Sequence, residues 1–350
     1  MDLQLLSGAR ILLTGHTGFK GYWLSRILLR LGARVSGISL PPEEGSLFQR
    51  FGDKYFDVSE FHDVRNIGEL RDSFSRIKPD AVIHLAAQPL VRRSYREPLL
   101  TFQTNVLGTA NVLEVSRDLD CIRGVVVVTS DKVYKNLETG QAYVEEDPLG
   151  GKDPYSASKS ATEMVVTSWQ QLVKLDSKQE IVSARAGNII GGGDHSEDRL
   201  LPDLIKSFRS NQAAVLRNPD AVRPWQHVID PLFGYITLLN AFFKSQKTSS
   251  SYNFGPKVDS SYTVRQLADF ACKEWGSGAT WVHQESNTEL PESKLLLLDS
   301  SRALKELAWQ AKIDTREAVK LTVQWEKEVL RNDSISLMDK QIDGFLELQT

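Results

Sequence analysis

Cysteine and long apolar runs are both scarce in this sequence of 350 residues. Cys121 and Cys272 are its two cysteines, which predicts no disulfide framework and suits a reducing compartment. No apolar run approaches the ~20 residues that cross a bilayer, and the N-terminus lacks the basic and apolar regions of a secretion signal. We therefore expect a cytoplasmic protein that does not span a membrane.

An excess of charge and a metal-binding pattern are also missing. The formal net charge is −3, whereas proteins that bind nucleic acids carry concentrated basic patches. The six histidines show no metal-ligand spacing, so neither a nucleic-acid partner nor a metal site is expected. The composition, 41% hydrophobic and 25% charged, is that of a globular protein, and the length suits about two domains.

The strongest chemical pattern lies between residues 124 and 159. Consecutive valines at 125–128 predict a strand buried on both faces. After one threonine come Ser130, Asp131 and Lys132, at the carboxyl end of this central strand, where ligands bind in open α/β sheets. Because neighbouring residues of a strand point to opposite faces, Asp131 and Lys132 reach one ligand only if the strand has already ended.

Further along, Tyr155 and Lys159 are four residues apart. On a helix this spacing puts both side chains on one face. We expect the charge of Lys159 to lower the pKa of the Tyr155 phenol, which would make it a general base for an alcohol. A solvated pair on a surface helix would show the same spacing, so the interpretation depends on its context.

A glycine-rich turn near the N-terminus supplies part of that context. An apolar strand at 10–14 runs into glycines spaced by three, and an apolar-periodic helix follows. This strand–turn–helix pattern predicts the phosphate-binding turn of a dinucleotide fold, with the pyrophosphate at the helix N-terminus. A purely structural turn is the alternative. The predicted cofactor residues here are Gly15, His16, Thr17, Gly18, Phe19, Lys20 and Gly21.

The second predicted strand, 34–39, ends unusually for a dinucleotide-binding fold. An acidic residue normally stands there and binds the adenosine ribose, but this chain has Ser39. Ribose recognition is therefore expected to rest on Ser39 or to be weak. No arginine follows the strand to bind a 2′-phosphate, which favours NAD over NADP. Asp63 and Val64 are expected at the adenine edge, with a polar turn as the alternative.

Alternating strands and helices up to residue 187 predict a doubly wound parallel Rossmann sheet. Residues 81–85 form its fourth predicted strand, and small residues follow where a cofactor would pass close to the backbone. Long helices are predicted at 100–119 and 156–175. We expect a dinucleotide-binding domain at 1–187 and a smaller α/β substrate domain at 188–350, interleaved with the first around 225–260.

Arginines are prominent after residue 187. Arg199, Arg217 and Arg223 are predicted to converge on an anion, since a guanidinium suits bidentate recognition of phosphate. Ordinary surface arginines are the alternative. Arg223 is the strongest of the three, because it stands beside a proline and a tryptophan and precedes an apolar run.

The chain resembles the extended short-chain dehydrogenase/reductases through GHTGFKG, HLAAQ and the pair Tyr155 and Lys159. Within them it is similar to the nucleotide-sugar 4,6-dehydratases, through TSDKVYKN, GGKDPYSASK, ARAGNIIGGGD, DRLLPD and RNPDAVRPWQHV. The resemblance is dense over residues 8–235 and loose beyond. It implies NAD as the cofactor and CDP-glucose as the substrate.

The resemblance also implies a mechanism. Tyr155 takes the proton of the sugar 4-hydroxyl while C4 gives a hydride to NAD, and Ser130 hydrogen-bonds the 4-oxygen. Lys159 tunes Tyr155 and contacts the nicotinamide ribose. Asp131 protonates the departing 6-hydroxyl, and the hydride then returns to C6. Lys132 stands where related enzymes have glutamate, so it is either the base for the C5 proton or an electrostatic helper.

Further positions follow from the resemblance alone. The implied cofactor contacts beyond the glycine turn are Ser39, Asp63, Val64, Leu85, Ala86, Ala87, Gln88 and Asn105, together with Tyr155 and Lys159. The implied substrate contacts are Gln88, Arg93, Asn188, Arg199, Leu200, Arg217, Asn218 and Arg223. The helices at 100–118 and 156–175 match those through which these enzymes form a homodimer.

Two other functions remain compatible with parts of the sequence. A nucleotide-sugar 4-epimerase would share the cofactor and the tyrosine–lysine pair, but it needs no acid and base after Ser130. A dehydratase acting on another nucleotide sugar would share every catalytic residue. A non-catalytic NAD-binding protein is disfavoured, because Ser130, Tyr155 and Lys159 are all present.

Overall fold

The computed structural model describes residues 3–137, 140–176, 179–256, 261–276, 278–284, 296–329 and 335–349. The strands within these ranges are β1 (Arg10–Thr14), β2 (Arg34–Ser39), β3 (Val58–Phe61), β4 (Ala81–His84), β5 (Gly124–Val128), β6 (Glu180–Ala186), β7 (Asn188–Ile190), β8 (Ala214–Leu216), β9 (Val222–His227), β10 (Ser251–Phe254), β11 (Ser261–Thr263) and β12 (Trp281–His283).

The helices are α1 (Phe19–Arg30), α2 (Leu47–Phe51), α3 (Ile67–Ile77), α4 (Val91–Arg96), α5 (Pro98–Phe102), α6 (Gly108–Arg117), α7 (Pro154–Asp176), α8 (Leu200–Arg209), α9 (Ile229–Phe243), α10 (Val264–Trp275), α11 (Ser301–Leu307), α12 (Thr315–Val329) and α13 (Ser336–Glu347). None of the helices in the described part of the chain combines the length and apolar character that a bilayer crossing requires.

The main sheet has seven strands in the order β10-β6-β5-β4-β1-β2-β3. Every neighbouring pair in it is parallel, and all residues of β5 are buried. A valine run suits this position because a parallel strand covered on both faces needs apolar, β-branched side chains throughout. The predicted doubly wound Rossmann sheet is confirmed.

Helices cover both faces of this sheet. On one face α3, α6 and α7 contribute Phe74, Val112 and Val166 to an apolar cluster with alternate residues of β4 and β5. On the other face α1 and α9 contribute Trp23 and Phe233 to a larger cluster that continues into the C-terminal half of the chain. The carboxyl ends of the strands remain between these layers, and the candidate site lies there.

The helix predicted at 100–119 is confirmed over residues 98–117, which are helical throughout, but its middle turn is not α-helical. It consists of α5, one π-helical turn at Gln103–Leu107, and α6. In the π turn, the carbonyl of Asn105 accepts hydrogen bonds from the hydroxyls of Thr109 and Thr162, at 2.7 and 2.9 Å. A π turn changes the helical phase, and here it places the Asn105 side chain inside the protein, 1% exposed.

The C-terminal half forms two small sheets, ordered β11-β9-β7 and β12-β8. Helices α8, α10 and α12 pack around them. The chain also returns to the main sheet, because β10 pairs with β6 and α9 packs beside β5 and β6. Residues 229–254 are therefore part of the Rossmann layer, and they fall within the stretch around 225–260 where the second domain is predicted to interleave with the first.

Candidate active site

The chain leaves β5 after Val128 and turns sharply. Ser130 has an extended backbone and caps a single 3₁₀ turn at Asp131–Val133, its hydroxyl oxygen accepting from the Lys132 amide at 3.2 Å. The same hydroxyl donates to Asp131 Oδ1 at 2.8 Å. Because the strand has ended, Asp131 and Lys132 no longer alternate between two faces of a sheet.

The carboxyl group of Asp131 is buried, with 5% of the residue exposed. Burial raises its pKa above the ordinary value, against the charge of Lys132, the Ser130 hydrogen bond and the charge of Arg223. Little space surrounds it, since a Cβ added at Gly187 would lie 3.3 Å from Asp131 Oδ2. A confined carboxyl group with a raised pKa can act as a general acid near neutral pH.

Tyr155 lies in the first turn of α7 and reaches the same place. Burial raises the pKa of its phenol to about 12, and the Ser130 side chain opposes that shift. The ammonium of Lys159 donates to the carbonyl of Val128 at 3.2 Å. The predicted net lowering of the Tyr155 pKa is therefore wrong, because burial outweighs the favourable contacts and the charge of Asp131 also raises the pKa.

Lys159 is itself shifted by its surroundings. Burial lowers the pKa of its ammonium to about 8, and the negative charge of Glu163 opposes that shift. Lys20, in the first turn of α1, lies near the same group of charges. Burial and the charges of Arg199 and Lys159 lower the Lys20 pKa to about 7, while Asp131 and another carboxylate raise it. The structure thus brings the glycine turn and the catalytic candidates together.

The glycine turn packs directly against the loop that follows β4. Gly15 has a φ of +80°, and a Cβ there would lie 2.8 Å from the Ala86 nitrogen. A Cβ at Gly21 would lie 2.1 Å from the Gly15 carbonyl oxygen. Gly18 precedes α1 as its N-cap, and Phe19 packs against the larger apolar cluster. This bare backbone at a helix N-terminus fits the pyrophosphate of a dinucleotide.

His16 points away from that turn. Its ring fills the space above Gly37, where a Cβ would lie 2.2 Å from the His16 Cγ, and its Nε2 is 2.9 Å from the Ser59 hydroxyl. Burial lowers the pKa of His16 to about 4, so the ring is neutral at physiological pH. The His16 side chain is thus a packing element between the turn and β2, and only its backbone remains beside the expected cofactor.

Ser39, at the end of β2, pairs with Thr17 of the turn. Their hydroxyl oxygens are 2.7 Å apart, and Thr17 also donates to the Leu40 carbonyl at 3.1 Å. Since the Thr17 proton is used there, Ser39 is the donor in the pair, and its own lone pairs are left to accept from a ribose hydroxyl. Ser39 therefore offers a neutral acceptor where related folds offer a carboxylate.

At the expected adenine edge, the Asp63 carboxylate is held by Arg65, which keeps the pKa of Asp63 low. Val64 is buried against Gly108, where a Cβ would lie 2.7 Å from the valine. A cavity of about 510 Å³ opens beside these residues. The Asp63 side chain is thus occupied by an ion pair, whereas the cavity leaves room for a planar ring.

The loop after β4 is held by hydrogen bonds on two sides. The amides of Leu85 and Ala86 both bond the Thr14 hydroxyl, at 3.2 Å each, and Ala87 follows them. On the other side the Gln88 amide donates to Asn105 Oδ1 at 2.8 Å, while Asn105 Nδ2 donates to the Ser158 hydroxyl at 2.8 Å. Asn105 therefore ties the predicted cofactor loop to the helix that carries Tyr155.

The Gln88 side chain is not available to a substrate. Its Oε1 accepts from the Leu90 amide at 2.7 Å, and its Nε2 donates to the Thr101 hydroxyl at 2.9 Å and to the Leu90 carbonyl. The predicted ligand contact of this side chain is corrected accordingly. Its polar atoms shape the loop, because a buried amide must find its partners within the protein.

The predicted arginines fall into two groups. Arg199 lies 3.7 Å from the carboxylate of Asp194, and Arg217 lies 3.3 Å from Asp198. The charges of Arg199 and Arg223 lower the pKa of Tyr155 and of Asp131, respectively, so these two arginines lie near the catalytic candidates. Arg93 pairs with Glu97, and its contact with a substrate stays a prediction.

Arg92 is the residue that the sequence analysis missed. It lies 3.5 Å from Asp198, the carboxylate that Arg217 also approaches. Neighbouring residues on a helix point in different directions, so Arg92 and Arg93 cannot both face Asp198. The sequence did not show which of the two does, because it did not show where the helix begins. The remaining predicted contacts are Asn188 at the start of β7, Leu200 at the start of α8 and Asn218 in the loop after β8, and their contact with a substrate stays a prediction.

Known proteins place this arrangement in a family. A sequence profile described as GDP-mannose 4,6 dehydratase matches residues 12–322. A CDP-glucose 4,6-dehydratase of Salmonella typhimurium is 40% identical, over 100% of this chain and 99% of the relative. A dTDP-glucose 4,6-dehydratase of Haemophilus influenzae is 25% identical over 90% of this chain and 97% of that protein.

Solved structures agree on the fold. A UDP-glucose 4-epimerase from Thermotoga maritima superposes with a TM-score of 0.80, at 21% identity, over 92% of this chain and 99% of that one. A dTDP-glucose 4,6-dehydratase from Streptomyces venezuelae gives 0.79 at 24% identity, over 91% and 97%. With its profile match, its full-length relative and its Rossmann sheet, this chain belongs to the GDP-mannose 4,6-dehydratase family of the extended short-chain dehydrogenase/reductases.

Proposed function

We propose that this protein dehydrates CDP-glucose to CDP-4-dehydro-6-deoxyglucose with NAD as a recycled cofactor. The observation that carries the proposal is that Ser130, at the end of β5, donates a hydrogen bond to Asp131 and also lowers the pKa of the Tyr155 phenol. It puts a candidate base and a candidate acid beside one hydroxyl. The 40% identical relative, a CDP-glucose 4,6-dehydratase, supports the choice of substrate.

The residues around the glycine turn fit NAD. Gly15 and Gly21 leave backbone bare where a Cβ would collide, and Ser39 offers an acceptor to a ribose hydroxyl. Bound there, NAD supplies a hydride acceptor for C4 and a hydride donor for C6. Lys159, whose ammonium is fixed on the Val128 carbonyl, orients the nicotinamide ribose and stabilises negative charge on Tyr155.

In the first step Tyr155 removes the proton of the sugar 4-hydroxyl, and Ser130 donates a hydrogen bond to the 4-oxygen. Burial holds the pKa of the phenol at about 12, so little phenolate is present at neutral pH. The proton therefore moves to the phenolate fraction as the C4 hydride departs, which makes this step accelerate with rising pH. The product is a 4-ketone, which acidifies the hydrogen on C5.

In the second step Asp131 gives its proton to the 6-hydroxyl, which leaves as water while the C5 proton is removed. The raised pKa of Asp131 keeps that proton available. Lys132, whose charge acts on Asp131 from the next position, is either the C5 base or the charge that stabilises the enolate. Hydride return to C6 and protonation at C5 complete the 4-keto-6-deoxy product.

The arginines are proposed to hold the nucleotide part of the substrate. Arg92 and Arg217 both approach Asp198 and Arg199 approaches Asp194, while the charges of Arg199 and Arg223 act on Tyr155 and Asp131, respectively. Guanidinium groups bind a diphosphate in bidentate fashion. Ion pairs with Asp194 and Asp198 hold these long side chains in place before the substrate arrives.

A side-by-side assay tests the proposal. The protein with added NAD is incubated with CDP-, dTDP-, GDP- and UDP-glucose, and the products are analysed by mass. We expect CDP-glucose to lose one water and dTDP-glucose to be a poor substrate. Equal turnover of both would refute the cytidine assignment but keep the dehydratase. A product of unchanged mass with an inverted 4-hydroxyl would indicate a 4-epimerase instead.

We also propose a homodimer through residues 100–118 and 156–175. Large apolar side chains are exposed along and beside these helices: Leu99, Phe102, Leu107, Met164, Leu172 and Leu175. Contiguous exposed apolar groups of this kind indicate an association surface. Light scattering should give twice the monomer mass for the parent and for Leu348→Asp, which alters an exposed leucine elsewhere. Leu107→Asp should give monomers, and an unchanged dimer would contradict the proposed surface.

A cytoplasmic location is proposed on the state of the thiols. Cys121 and Cys272 are both free and partly buried, as expected in a reducing compartment. Cell fractionation, with detection of the protein in each fraction, would test this directly. Recovery in a secreted or membrane fraction would contradict it.

A further inference from the structure

A second carboxylate is buried in α7, one turn beyond Lys159. The side chain of Glu163 is 3% exposed and pairs with Arg185 of β6 at 2.8 Å. It also accepts the hydroxyl of Thr129 at 2.5 Å and that of Ser183 at 2.7 Å. Neither the mechanism proposed above nor the sequence analysis gives this residue a role.

The contacts of Glu163 fix the helix to the strand end. Thr129 directly precedes Ser130, and Val128 precedes Thr129. Lys159 holds the Val128 carbonyl at 3.2 Å, while Glu163 holds the Thr129 hydroxyl. Two successive turns of α7 therefore hydrogen-bond to Val128 and Thr129, the two residues immediately before Ser130. Since Tyr155 belongs to the same helix, these hydrogen bonds set the distance between its phenol and Ser130.

The charged groups around Lys159 also indicate a role for Glu163. From its own helix it faces Glu163, which lies at the i+4 position and shares its side of the helix. From α1 it faces Lys20, and from the end of β4 it faces His84. Burial lowers the pKa of His84 to about 3, so that ring is neutral. Glu163 is the anion whose charge opposes the effect of burial on the Lys159 pKa.

We propose that Glu163 is a positioning residue for the dehydratase proposed above: its carboxylate fixes Ser130 against Tyr155 through Thr129, and its charge keeps Lys159 an ammonium ion. Arg185 balances that charge from the opposite side. Arg185 is held in turn by Tyr134 at 2.8 Å and by the Glu145 carbonyl at 3.0 Å. The carboxylate is therefore part of a rigid buried network.

The electrostatic part is tested without any substrate. Glu163→Gln keeps the shape and can still accept from Arg185 and Ser183, but it removes the charge. The titration of Lys159 is followed in the full-length protein by competitive acetylation with acetic anhydride across a pH series, read peptide by peptide in a mass spectrometer. We expect the Lys159 pKa to fall by about one unit or more in the variant, because an opposite charge close by is worth that much.

The exposed Lys340 of α13 serves as an internal control in the same samples, because solvent and salt screen its charge from buried groups. Its titration should stay within a few tenths of a pH unit of the parent value. An unchanged Lys159 pKa in folded Glu163→Gln overturns the electrostatic part. This outcome is independent of the proposed substrate, since the failure of CDP-glucose to react would leave the Lys159 titration intact.

The positional part is tested with Thr129→Val, which keeps the Glu163–Arg185 ion pair and so serves even if Glu163→Gln does not fold. The Lys159 pKa should remain at the parent value. The rate of NADH formation in the first half-reaction should fall by about tenfold or more, because small displacements of reacting groups are costly. A parental rate in this variant overturns the positional part. If the rate of NADH formation falls by the same factor at every temperature below the unfolding transition, the loss is due to displaced groups and not to reduced stability.

Discussion

The hydroxyl of Ser130 donates to Asp131 Oδ1 at 2.8 Å, and the same serine lowers the pKa of the Tyr155 phenol. One hydroxyl thus joins the proposed base of the oxidation to the proposed acid of the elimination. A substrate 4-oxygen that approaches Ser130 must compete with Asp131 for its proton. The protonation state of Asp131 therefore decides whether Ser130 is free to bind the sugar.

Replacing Asp131 with asparagine should separate the two chemical steps. The variant is expected to oxidise C4 of CDP-glucose and then stall, because a general acid is worth about 10²- to 10⁴-fold in rate. NADH should accumulate in the active site, visible as nicotinamide absorbance. Tyr155→Phe is the control and should show no accumulation, since it blocks the earlier step. Parental turnover of Asp131→Asn would contradict the division of labour.

Lys132→Ala distinguishes two roles for this lysine. If Lys132 removes the C5 proton, the variant should lose solvent-deuterium exchange at C5 of the bound 4-keto sugar. If it acts only through its charge, exchange should slow by about 10²- to 10³-fold and persist, as expected for the loss of one electrostatic contact. Lys135→Ala, an exposed lysine in the next turn of the chain, should leave exchange unchanged.

Ser39 should make NAD binding weak. It supplies a neutral hydroxyl, whereas a carboxylate would add a charge-assisted contact of about 1.5–3 kcal/mol to a ribose hydroxyl. Ser39→Asp is therefore expected to tighten NAD by about tenfold to a hundredfold, measured by fluorescence titration, and Ser39→Ala should weaken it. Activity of the parent should depend on added NAD after dialysis. A dialysed parent that remains fully active would contradict this account.

Asp230 should make stability depend on pH. Burial raises its pKa from 3.8 to about 7, against hydrogen bonds from the amides of Lys312 and Ile313. Between those pH values the folded protein binds a proton that the unfolded chain has lost, so this group's contribution to stability falls as pH rises through the window. The stability deficit of Asp230→Asn in urea unfolding should therefore shrink from pH 5 to pH 8. Parallel curves for the two proteins would exclude Asp230 as the cause.

Gly37→Ala should destabilise the protein through His16. A Cβ at residue 37 would lie 2.2 Å from the His16 ring, and an overpacked core typically loses about 1–3 kcal/mol. The double variant with His16→Gly should regain part of this loss, because the colliding ring is gone. Gly344→Ala is the matched control, since no atom lies within 4 Å of its added Cβ, and it should stabilise α13 slightly. If the losses of stability caused by Gly37→Ala and His16→Gly simply add in the double variant, the proposed collision is contradicted.

Local patterns accounted for much of the fold. The valine strand, the glycine turn and the tyrosine–lysine helix each occupy one short stretch, and their residue types report burial and backbone shape directly. The π-helical turn at Asn105 was not predictable in this way. It depends on contacts with Gln88 and Thr162, which are distant in the sequence.

The candidate site also combines features that local sequence patterns predict with features that depend on contacts between distant residues. The positions of Ser130 and Asp131 could be predicted from the end of a strand, whereas the pKa of Tyr155 could not. The sequence supplied the helpful charge of Lys159 but no measure of how deeply the phenol lies, and burial proved the larger effect. Glu163 and Arg185 were missed, although Arg185 lies in the stretch ARAGNIIGGGD, because their pairing exists only after β6 and α7 have packed.

The return of β10 to the main sheet determines when that sheet can be finished. Synthesis up to residue 187 supplies β1–β6, six of its seven strands. Until residues 251–254 leave the ribosome, the outer edge of β6 has unpaired amides and carbonyls, which other chains can bind. The nucleotide-binding half therefore completes its folding only after much of the other half has been made. A gene fragment cut at residue 187 would therefore encode a sheet whose β6 edge is open and prone to aggregation.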